Sequence, residues 1–322
     1  MPSQKLVYTF IIKGANASEN HIFEEIWLML VSVIIVNYNT FQITCDCIES
    51  TIAHTKGVPY EIILVDNASL VDNPDDFLIK FPSVKLIKSK ENGGFAKGNN
   101  LGIEAASGDV ILLLNSDTIL TEDSIGLAAR ELKKRADVGA IGVRLIYPDG
   151  KLQHTARKFR SIKNEILDVL RPFLLLMPYK KRVSLMLNQY FNGEYSTYCD
   201  WVIGAFMMFN RSLLDGLPGK KLDERFFMYG EDQLWCYQFF ESGFRSYYLA
   251  ETTVIHIANA STEPSKQLKL LRKFLELELK IMEYRKGKGL YYYIFSFILT
   301  LKEMFRYYVK VVTYRIFKYK IR

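Results

Sequence analysis

Short, continuously apolar runs alternate with amphipathic segments through the first half of the chain. Residues 31–36 (VSVIIV) form the clearest run, which is typical of a strand buried on both faces of a parallel sheet. Further strand-like runs lie at residues 61–65, 84–88, 109–114 and 139–147. Helices are predicted between them, at residues 41–54, from the glycine-rich residues 92–100 to about 107, and at 122–136. This alternation predicts an α/β doubly wound, mostly parallel sheet flanked by helices.

The regular alternation is lost after residue 151. Residues 198–209 have the pattern of one strand, residues 226–242 that of a loop and a helix, and residues 252–255 that of a short strand. From Pro264 onward the pattern is helical, with a break at Gly287-Lys-Gly289. We therefore predict an N-terminal extension over residues 1–28, a catalytic domain over residues 29–262 and a helical tail over residues 263–322.

Composition and charge narrow the class of protein. The chain has 322 residues, of which 49% are hydrophobic, so it can bury a full core. Four cysteines give no disulfide framework, which predicts a reducing, cytoplasmic setting. Residues 263–322 carry 15 basic and 5 acidic side chains, whereas the preceding residues carry 27 and 30. The main body is therefore slightly acidic, and nucleic acid is disfavoured as a substrate.

Two predicted strands end in a carboxylate, Asp66 and Asp117. Ligands of open α/β sheets bind at the carboxyl ends of the strands, where such side chains suit a metal ion or ribose hydroxyls. The alternative is that both are turn formers. His256 follows the short strand at residues 252–255 and is either a core histidine or a metal ligand beside Asp117.

Two further motifs each allow a structural and a functional interpretation. The glycine-rich segment 92–100 lets backbone approach a phosphorylated ligand, with Lys97 as a point charge, but it is equally a plain turn. Glu231 and Asp232 stand at a predicted helix N-terminus, where acids stabilise the helix dipole. A carboxylate at the rim of a cleft is also what deprotonation of a hydroxyl requires.

Taken in order, these motifs resemble the inverting nucleotide-sugar glycosyltransferases of family 2, with the GT-A fold, and especially their rhamnosyltransferase-like branch. The resemblance covers about residues 31–262. It is carried by the segments VIIVNYN (33–39), LVDNAS (64–69), NGGFAKGNN (92–100), LNSD (114–117) and FFMYGED (226–232), and by His256.

The resemblance implies a donor pocket and a divalent metal ion, Mg²⁺ or Mn²⁺. The residues implied for the nucleotide-sugar donor are Asn37, Asn39, Asp66, Gly94, Lys97, Asn99, Asn115, Ser116 and Asp117. Asn115-Ser-Asp117 stands where the family has Asp-x-Asp, so an asparagine replaces the first acid. Asp117 is the implied metal ligand, with His256 as a further one.

The same resemblance implies the catalytic and acceptor residues. Asp232 is the implied general base, Glu231 is the alternative, and Trp201 and Gly204 line the acceptor side. The expected reaction moves a sugar, with rhamnose as a candidate, to a cell-envelope glycan or a lipid-linked glycan. One rival is an inactive sugar-nucleotide-binding or scaffold protein of the same fold. The other, a nucleotidyltransferase, is disfavoured because no basic triphosphate loop follows the first strand.

The tail combines basic and aromatic residues. Lys302, Arg306 and Lys310 share one helix face, and aromatic residues crowd positions 291–297. This pattern favours an interfacial helix on anionic lipid, at the inner face of the cell membrane. The alternative is a helical hairpin that packs on the catalytic domain or on the partner in a homodimer.

Overall fold

The computed structural model describes residues 29–257 and 264–320, with side chains at residues 29–257 and 268–313. The predicted extension at residues 1–28 lies outside them. The strands are β1 (Val31–Asn37), β2 (Tyr60–Asp66), β3 (Lys85–Lys88), β4 (Val110–Asn115), β5 (Thr118–Leu120), β6 (Val138–Ile146), β7 (Leu152–Gln153), β8 (Thr197–Cys199), β9 (Phe206–Asn210) and β10 (Arg245–His256).

Helices flank these strands and form the C-terminal region. They are α1 (Phe41–His54), α2 (Asp76–Lys80), α3 (Gly94–Ala105), α4 (Ser124–Lys134), α5 (Ile162–Val169), α6 (Arg171–Leu174), α7 (Tyr179–Leu185), α8 (Leu187–Tyr190), α9 (Glu231–Glu241), α10 (Pro264–Lys286) and α11 (Leu290–Lys320). Two 3₁₀ helices span Arg211–Gly216 and Pro218–Lys220. The break between α10 and α11 confirms the one predicted at Gly287-Lys-Gly289.

One sheet organises the molecule, in the order β3-β2-β1-β4-β9-β6-β10-β5. Strands β3, β2, β1 and β4 are mutually parallel, as are β6 and β10, whereas β9 and β5 run antiparallel to their neighbours. Strand β1 is central and its apolar side chains are almost fully buried on both faces, because helices cover both sides of the sheet. The predicted fold class is confirmed.

The single strand predicted over residues 198–209 is wrong. It divides into β8, which pairs with β10, and β9, which pairs with β4. The apolar residues between them, including Trp201 and Gly204, made the pattern continuous, although the two halves pair with different neighbours. The intervening residues line the cavity described below.

Helices α10 and α11 form a hairpin that packs against α5. The predicted basic face of α11 is exposed only in part, because Lys302 is buried and Arg306 is half-buried. Lys302 is buried, its ammonium contacts Glu165 and lies 2.6 Å from Asp168, and Arg306 also pairs with Asp168 at 2.7 Å. The spacing correctly predicted that these residues share one face of the helix. It could not show that Glu165 and Asp168 of α5 pack against that face. Lys310 is exposed as predicted.

Candidate functional site

The loops that follow β1 and β2 are tied together by polar side chains. The Asn37 amide donates to Asp66 Oδ1 at 2.9 Å and to Ser69 Oγ at 3.1 Å, while Asn37 Oδ1 accepts from the Thr44 hydroxyl. Asp66 Oδ2 accepts the backbone N–H of Ser69. Asn39 has φ +55° and its Oδ1 accepts backbone N–H groups of the facing loop. This network fixes the three predicted donor residues of the two loops at the carboxyl ends of neighbouring strands.

The glycine-rich segment joins this network through a residue that the motif did not single out. The Asn67 amide donates to Asn92 Oδ1 and to the Gly94 carbonyl. Gly94 has φ +83°, and a Cβ there would lie 2.2 Å from the Phe227 carbonyl oxygen, so only glycine fits. Helix α3 begins at Gly94, which places seven of the nine residues of the segment in the helix rather than in a phosphate-binding loop.

Two predicted donor residues of this segment point elsewhere. Lys97 pairs with Glu91 and lines a separate cavity of about 1230 Å³ that also includes Asp109, at the start of β4. Asn99 is buried, and its amide donates to the Phe95 carbonyl one turn back in the same helix. The structure therefore does not bring Lys97 together with Asp117, and the predicted donor roles of both residues stay predictions.

Asn115, Ser116 and Asp117 form the end of β4 and the turn into β5. Strand β5 pairs with the end of β10, so His256 lies opposite Thr118 and beside the turn. His256 Nε2 is 3.2 Å from Asp117 Oδ1 and 3.2 Å from the Asn115 amide nitrogen. The sheet thus assembles the two predicted metal ligands from positions far apart in sequence.

Gln153 sets the orientation of the His256 ring. Its Nε2 donates to the His256 carbonyl at 2.6 Å, which leaves its Oε1 facing His256 Nδ1 at 2.8 Å. Since an amide oxygen only accepts, Nδ1 carries a proton, and Nε2 presents either its lone pair or a second proton to Asp117. The contact between His256 Nε2 and the Asp117 carboxylate is favourable in two cases, when the imidazole is protonated at Nε2 or when a metal ion binds both groups.

The residues fit a divalent cation of the kind that the resemblance implies. Mg²⁺ and Mn²⁺ commonly use one or two protein ligands and complete their shell with substrate phosphates and water. One carboxylate oxygen and one imidazole nitrogen oriented by Gln153 meet that need. Within the described residues, the cluster of three potential ligand side chains is Glu165, Asp168 and Glu303, but its space is filled by the Lys302 ammonium.

Helix α9 presents Glu231 and Asp232 at its first turn. Gly230 caps the helix with φ +91°, and Tyr229 before it has φ +73°, a conformation that non-glycine residues seldom adopt. Asp232 Oδ2 accepts the Gly204 N–H at 3.2 Å, and Oδ1 accepts the Gln233 N–H at 2.8 Å. Two backbone N–H groups therefore hold the Asp232 carboxylate in place. One of them belongs to Gly204, which the resemblance places on the acceptor side.

The two carboxyl groups differ in how their charge is supported. Burial, together with the Asp232 charge, raises the pKa of Glu231 to about 8. Burial also raises the pKa of Asp232, against the opposing effect of the Gln233 and Gly204 N–H groups and of Arg157. Because Asp232 has these donors and Glu231 Oε2 has no hydrogen-bond partner among the described residues, Asp232 is the better placed of the two to stay ionised.

A cavity of about 620 Å³ unites these groups. It is lined by the predicted residues Asn115, Asp117, Trp201, Gly204, Glu231, Asp232 and His256. It is also lined by side chains that sequence reasoning missed, from the loop after β7 and from helix α10: Arg157, Phe274, Leu277, Glu278 and Ile281. The tail therefore supplies one wall of the cavity.

The missed residues carried unequal signals in the sequence. Gln153 and Arg157 lie in an irregular region and became functional candidates only through contacts with His256 and Trp201. Glu278, in contrast, lies four residues after Phe274 and three before Ile281, so it is a charged side chain on an apolar helix face. Such a position is a sequence signal for a buried carboxylate.

Fold and cavity together define an α/β protein with a carboxylate-rich site at the carboxyl ends of parallel strands. The sequence model of Glycosyl transferase family 2 matches residues 32–217, more than half of the chain, and the chain belongs to this family. Its fold is that of the GT-A glycosyltransferases. The family and the fold predicted from the motifs are thereby confirmed.

Individual relatives share fewer than a third of their aligned residues with this chain. The chain is 28% identical over 178 residues to the uncharacterized glycosyltransferase YwdF of Bacillus subtilis, covering 54% of this chain and 66% of that protein. It is 26% identical over 224 residues to an N-acetylglucosaminyl-diphospho-decaprenol L-rhamnosyltransferase of Mycobacterium tuberculosis, covering 65% and 71%. The chain thus spans just under two thirds of the Bacillus protein. The activity, substrates and partners of the whole protein are therefore proposals.

A solved structure supports the fold. The mannosyltransferase PcManGT from Pyrobaculum calidifontis, in complex with GDP-Man and Mn²⁺, superposes with a TM-score of 0.54 at 15% identity. The match covers 85% of this chain and 68% of that one. At this identity the similarity establishes the shared fold and not the substrate.

Proposed function

We propose that this protein is an inverting glycosyltransferase that moves a sugar from a nucleoside diphosphate donor to a glycan acceptor of the cell envelope. The observation that carries the proposal is that Asp232 and the Asp117–His256 pair line one cavity. A base and a site for the leaving diphosphate are the two requirements of this reaction, and the cavity offers a candidate for each.

In the proposed mechanism the donor lies against the carboxyl ends of β1, β2 and β4, where Asp66 and the Asn37 network meet its nucleoside. A divalent cation at Asp117 and His256 would offset the charge that develops on the leaving diphosphate. Asp232 accepts the proton of the acceptor hydroxyl while the hydroxyl oxygen bonds to the anomeric carbon. The bond from that carbon to the diphosphate oxygen breaks on the opposite face, which inverts the configuration.

The donor and acceptor follow from the relatives as proposals. One relative is named as a rhamnosyltransferase acting on a diphospho-decaprenol-linked sugar, so dTDP-rhamnose is the first donor to test and a lipid-linked glycan the first acceptor. The structural neighbour bound to GDP-Man and Mn²⁺ supports a nucleotide-sugar donor with a divalent metal ion. Trp201 and Gly204 line the acceptor side in this proposal.

The experiment measures nucleoside diphosphate release from dTDP-rhamnose and a panel of UDP-hexoses, with and without Mn²⁺, in the presence of a membrane lipid extract. Metal-dependent release from one donor, lost in Asp232→Ala, supports the proposal. If donors stabilise the protein against heat but none is turned over, the inactive sugar-nucleotide-binding alternative replaces it.

We also propose that the protein associates with anionic membrane surfaces. Residues 169–193 and 304–322 contain four and six basic side chains and no acidic one. Large apolar side chains are exposed in both parts, among them Phe173 and Leu176 near α6 and Phe305 on α11. Arg306 of α11 lines a small cavity together with Met186 and Gln189, so the described part of α11 lies beside residues 169–193, and the apolar surface there fits an anionic bilayer. Within the described residues, no helix is long and apolar enough to cross a membrane.

Sedimentation with vesicles tests this surface. We expect binding to phosphatidylglycerol vesicles that exceeds binding to phosphatidylcholine vesicles and that weakens in Leu176→Glu, with Leu78→Glu, an exposed site on α2, as the matched control. Equal binding of both variants would contradict the proposal. A concentration-dependent dimer that Leu176→Glu dissociates would assign the same surface to a second copy of the chain.

A further inference from the structure

An arginine lines the cavity beside its carboxyl groups, and the proposed reaction gives it no role. Arg157 lies in the loop after β7 and forms an isolated β-bridge with Trp201. The Arg157 N–H donates to the Trp201 carbonyl at 3.0 Å, and the Trp201 N–H donates to the Arg157 carbonyl at 3.1 Å. The backbone therefore fixes the two residues side by side on one wall of the cavity.

Two further contacts orient the Arg157 side chain. Its guanidinium carbon lies 4.9 Å from the centroid of the Trp201 ring, and its Nε donates to the His154 carbonyl at 2.9 Å. These contacts use one face of the guanidinium group and one of its five N–H bonds. Because the protein already holds the side chain, a ligand that binds to it costs little rotamer entropy.

The other four N–H bonds of the guanidinium group are available to a ligand. Among the described residues, no oxygen atom accepts a hydrogen bond from Nη1 or Nη2 of Arg157, and no carboxylate forms an ion pair with them. Neither atom is fully buried, and Arg157 lines the cavity, so a molecule in the cavity can reach them. A guanidinium group held in this way suits an oxyanion that offers two oxygen atoms, such as a phosphate group.

The position of Arg157 favours the acceptor over the donor as the source of that phosphate. Burial lowers the pKa of Arg157, and the negative charge of Asp232 is the largest effect that opposes this decrease. Arg157 therefore lies near the candidate base, whereas the donor diphosphate is proposed to lie at Asp117 and His256. An acceptor sugar joined to lipid through a diphosphate brings a phosphate group to the base together with its reacting hydroxyl group.

The carboxyl groups on this side of the cavity leave room for an anion. Burial, together with the Asp232 charge, raises the pKa of Glu231 to about 8, so Glu231 is mainly protonated at pH 7. Burial also raises the pKa of Glu278, and its Oε1 pairs with Arg160 Nε at 3.1 Å. The charge that remains is that of Asp232, which Arg157 offsets.

We propose that Arg157, supported by Trp201, binds a phosphate group of the acceptor through its two Nη groups. The proposal rests on the function proposed above and deepens it, because it assigns the acceptor class. That class is a sugar that carries a phosphate or diphosphate close to its reacting hydroxyl group. Arg157 is then a substrate-binding residue that selects phosphorylated acceptors over neutral ones.

Binding of geranyl diphosphate, measured by calorimetry in EDTA, tests the site without knowledge of the sugar. EDTA removes divalent ions, so Asp117 and His256 cannot hold the diphosphate through a metal ion. We expect the Kd to rise about tenfold or more in Arg157→Met, because bidentate hydrogen bonds between charged groups are strong. Methionine keeps an apolar side chain against Trp201 but has no N–H donor. Binding of dTDP and UDP in the presence of Mn²⁺ should stay unchanged.

The matched control is Arg245→Met. Arg245 also stacks on an aromatic ring, with its guanidinium carbon 3.6 Å from the Tyr198 centroid, but it is exposed and outside the cavity. Its variant should bind geranyl diphosphate as the wild-type protein does. If Arg157→Met melts at a lower temperature than Arg245→Met, Arg157→Lys takes its place, since lysine keeps the charge and loses the bidentate geometry.

Three results would overturn the proposal. One is equal affinity of the wild-type protein and Arg157→Met for geranyl diphosphate. Another is a loss of dTDP or UDP affinity in Arg157→Met, which would assign Arg157 to the donor. The third is a shifted pH–rate profile with unchanged geranyl diphosphate affinity, which would assign Arg157 to the support of the Asp232 charge. Absence of donor turnover by the wild-type protein would instead contradict the proposed function, and the binding measurements would still test Arg157.

Discussion

The paired variants Asp232→Asn and Glu231→Gln distinguish the two candidate bases. Asp232 is partly buried, with an N–H donor on each carboxylate oxygen at 3.2 and 2.8 Å, and asparagine keeps its volume while removing its basicity. Loss of a general base lowers rates by about 10²–10⁴-fold. At 1.36 kcal/mol per factor of ten, this equals about 2.7–5.4 kcal/mol in the activation free energy.

Glu231→Gln should behave differently. Burial and the neighbouring Asp232 raise the pKa of Glu231 to about 8, so it is mainly protonated at pH 7 and makes a poor base there. We expect kcat at saturating acceptor to change by less than about fivefold, far below the loss typical of a missing base.

Initial rates of nucleoside diphosphate release between pH 5 and pH 9 measure both effects. Wild-type activity should fall toward acid pH as Asp232 takes up a proton, and the raised pKa of Asp232 places that fall above the ordinary aspartate range. Circular dichroism controls for folding. If Glu231→Gln shows the large loss and Asp232→Asn the small one, our assignment of the base is refuted.

Three further predictions concern stability and metal binding. Glu231→Gln should raise the melting temperature at pH 8 but not at pH 4. The reason is that the pKa of Glu231 is about 8 in the folded protein and 4.5 in the unfolded one, so between these values the folded protein holds a proton that the unfolded protein has released. The wild-type protein therefore loses stability as the pH rises from 4.5 toward 8, and the glutamine variant does not. Lys302→Met should lower the free energy of unfolding by about 3–5 kcal/mol in urea titrations, since Glu165 Oε2 and Asp168 Oδ2 lose a buried cationic partner, whereas Lys310→Met, at an exposed site, should change it little. Gln153→Leu should weaken Mn²⁺ binding by about 10–100-fold in calorimetry, because His256 loses the partner that orients its ring; unchanged affinity would remove His256 from the metal site.

The fold was predictable because its information is local. Strand β1 is apolar at nearly every position since it is buried on both faces, and helix α1 was predicted with the bounds that it has. The segment at residues 198–209 failed because apolar patterning shows that residues are buried but not which strand they pair with.

The site was predictable only where its residues belong to motifs. Asp117, Asp232 and His256 stand at the ends of recognisable elements, and the cavity brings them together. Gln153 and Glu278 became visible only through contacts with residues far along the chain. Lys97 shows that a residue of a motif can also be misassigned. Its position in the motif could not reveal that its ammonium pairs with Glu91.

Because α10 supplies one wall of the cavity, the site is built from two separate parts of the chain, the loops of the sheet and the C-terminal hairpin. The residues that we predict for the donor come from the loops of the sheet, which the Asn37 and Asn67 networks fix, whereas one wall of the cavity comes from one face of a single helix. Substitutions along that face leave the strands untouched. We therefore expect exchange of the hairpin between related enzymes to change the cavity while the sheet stays intact, and removal of the tail to delete one wall of the cavity.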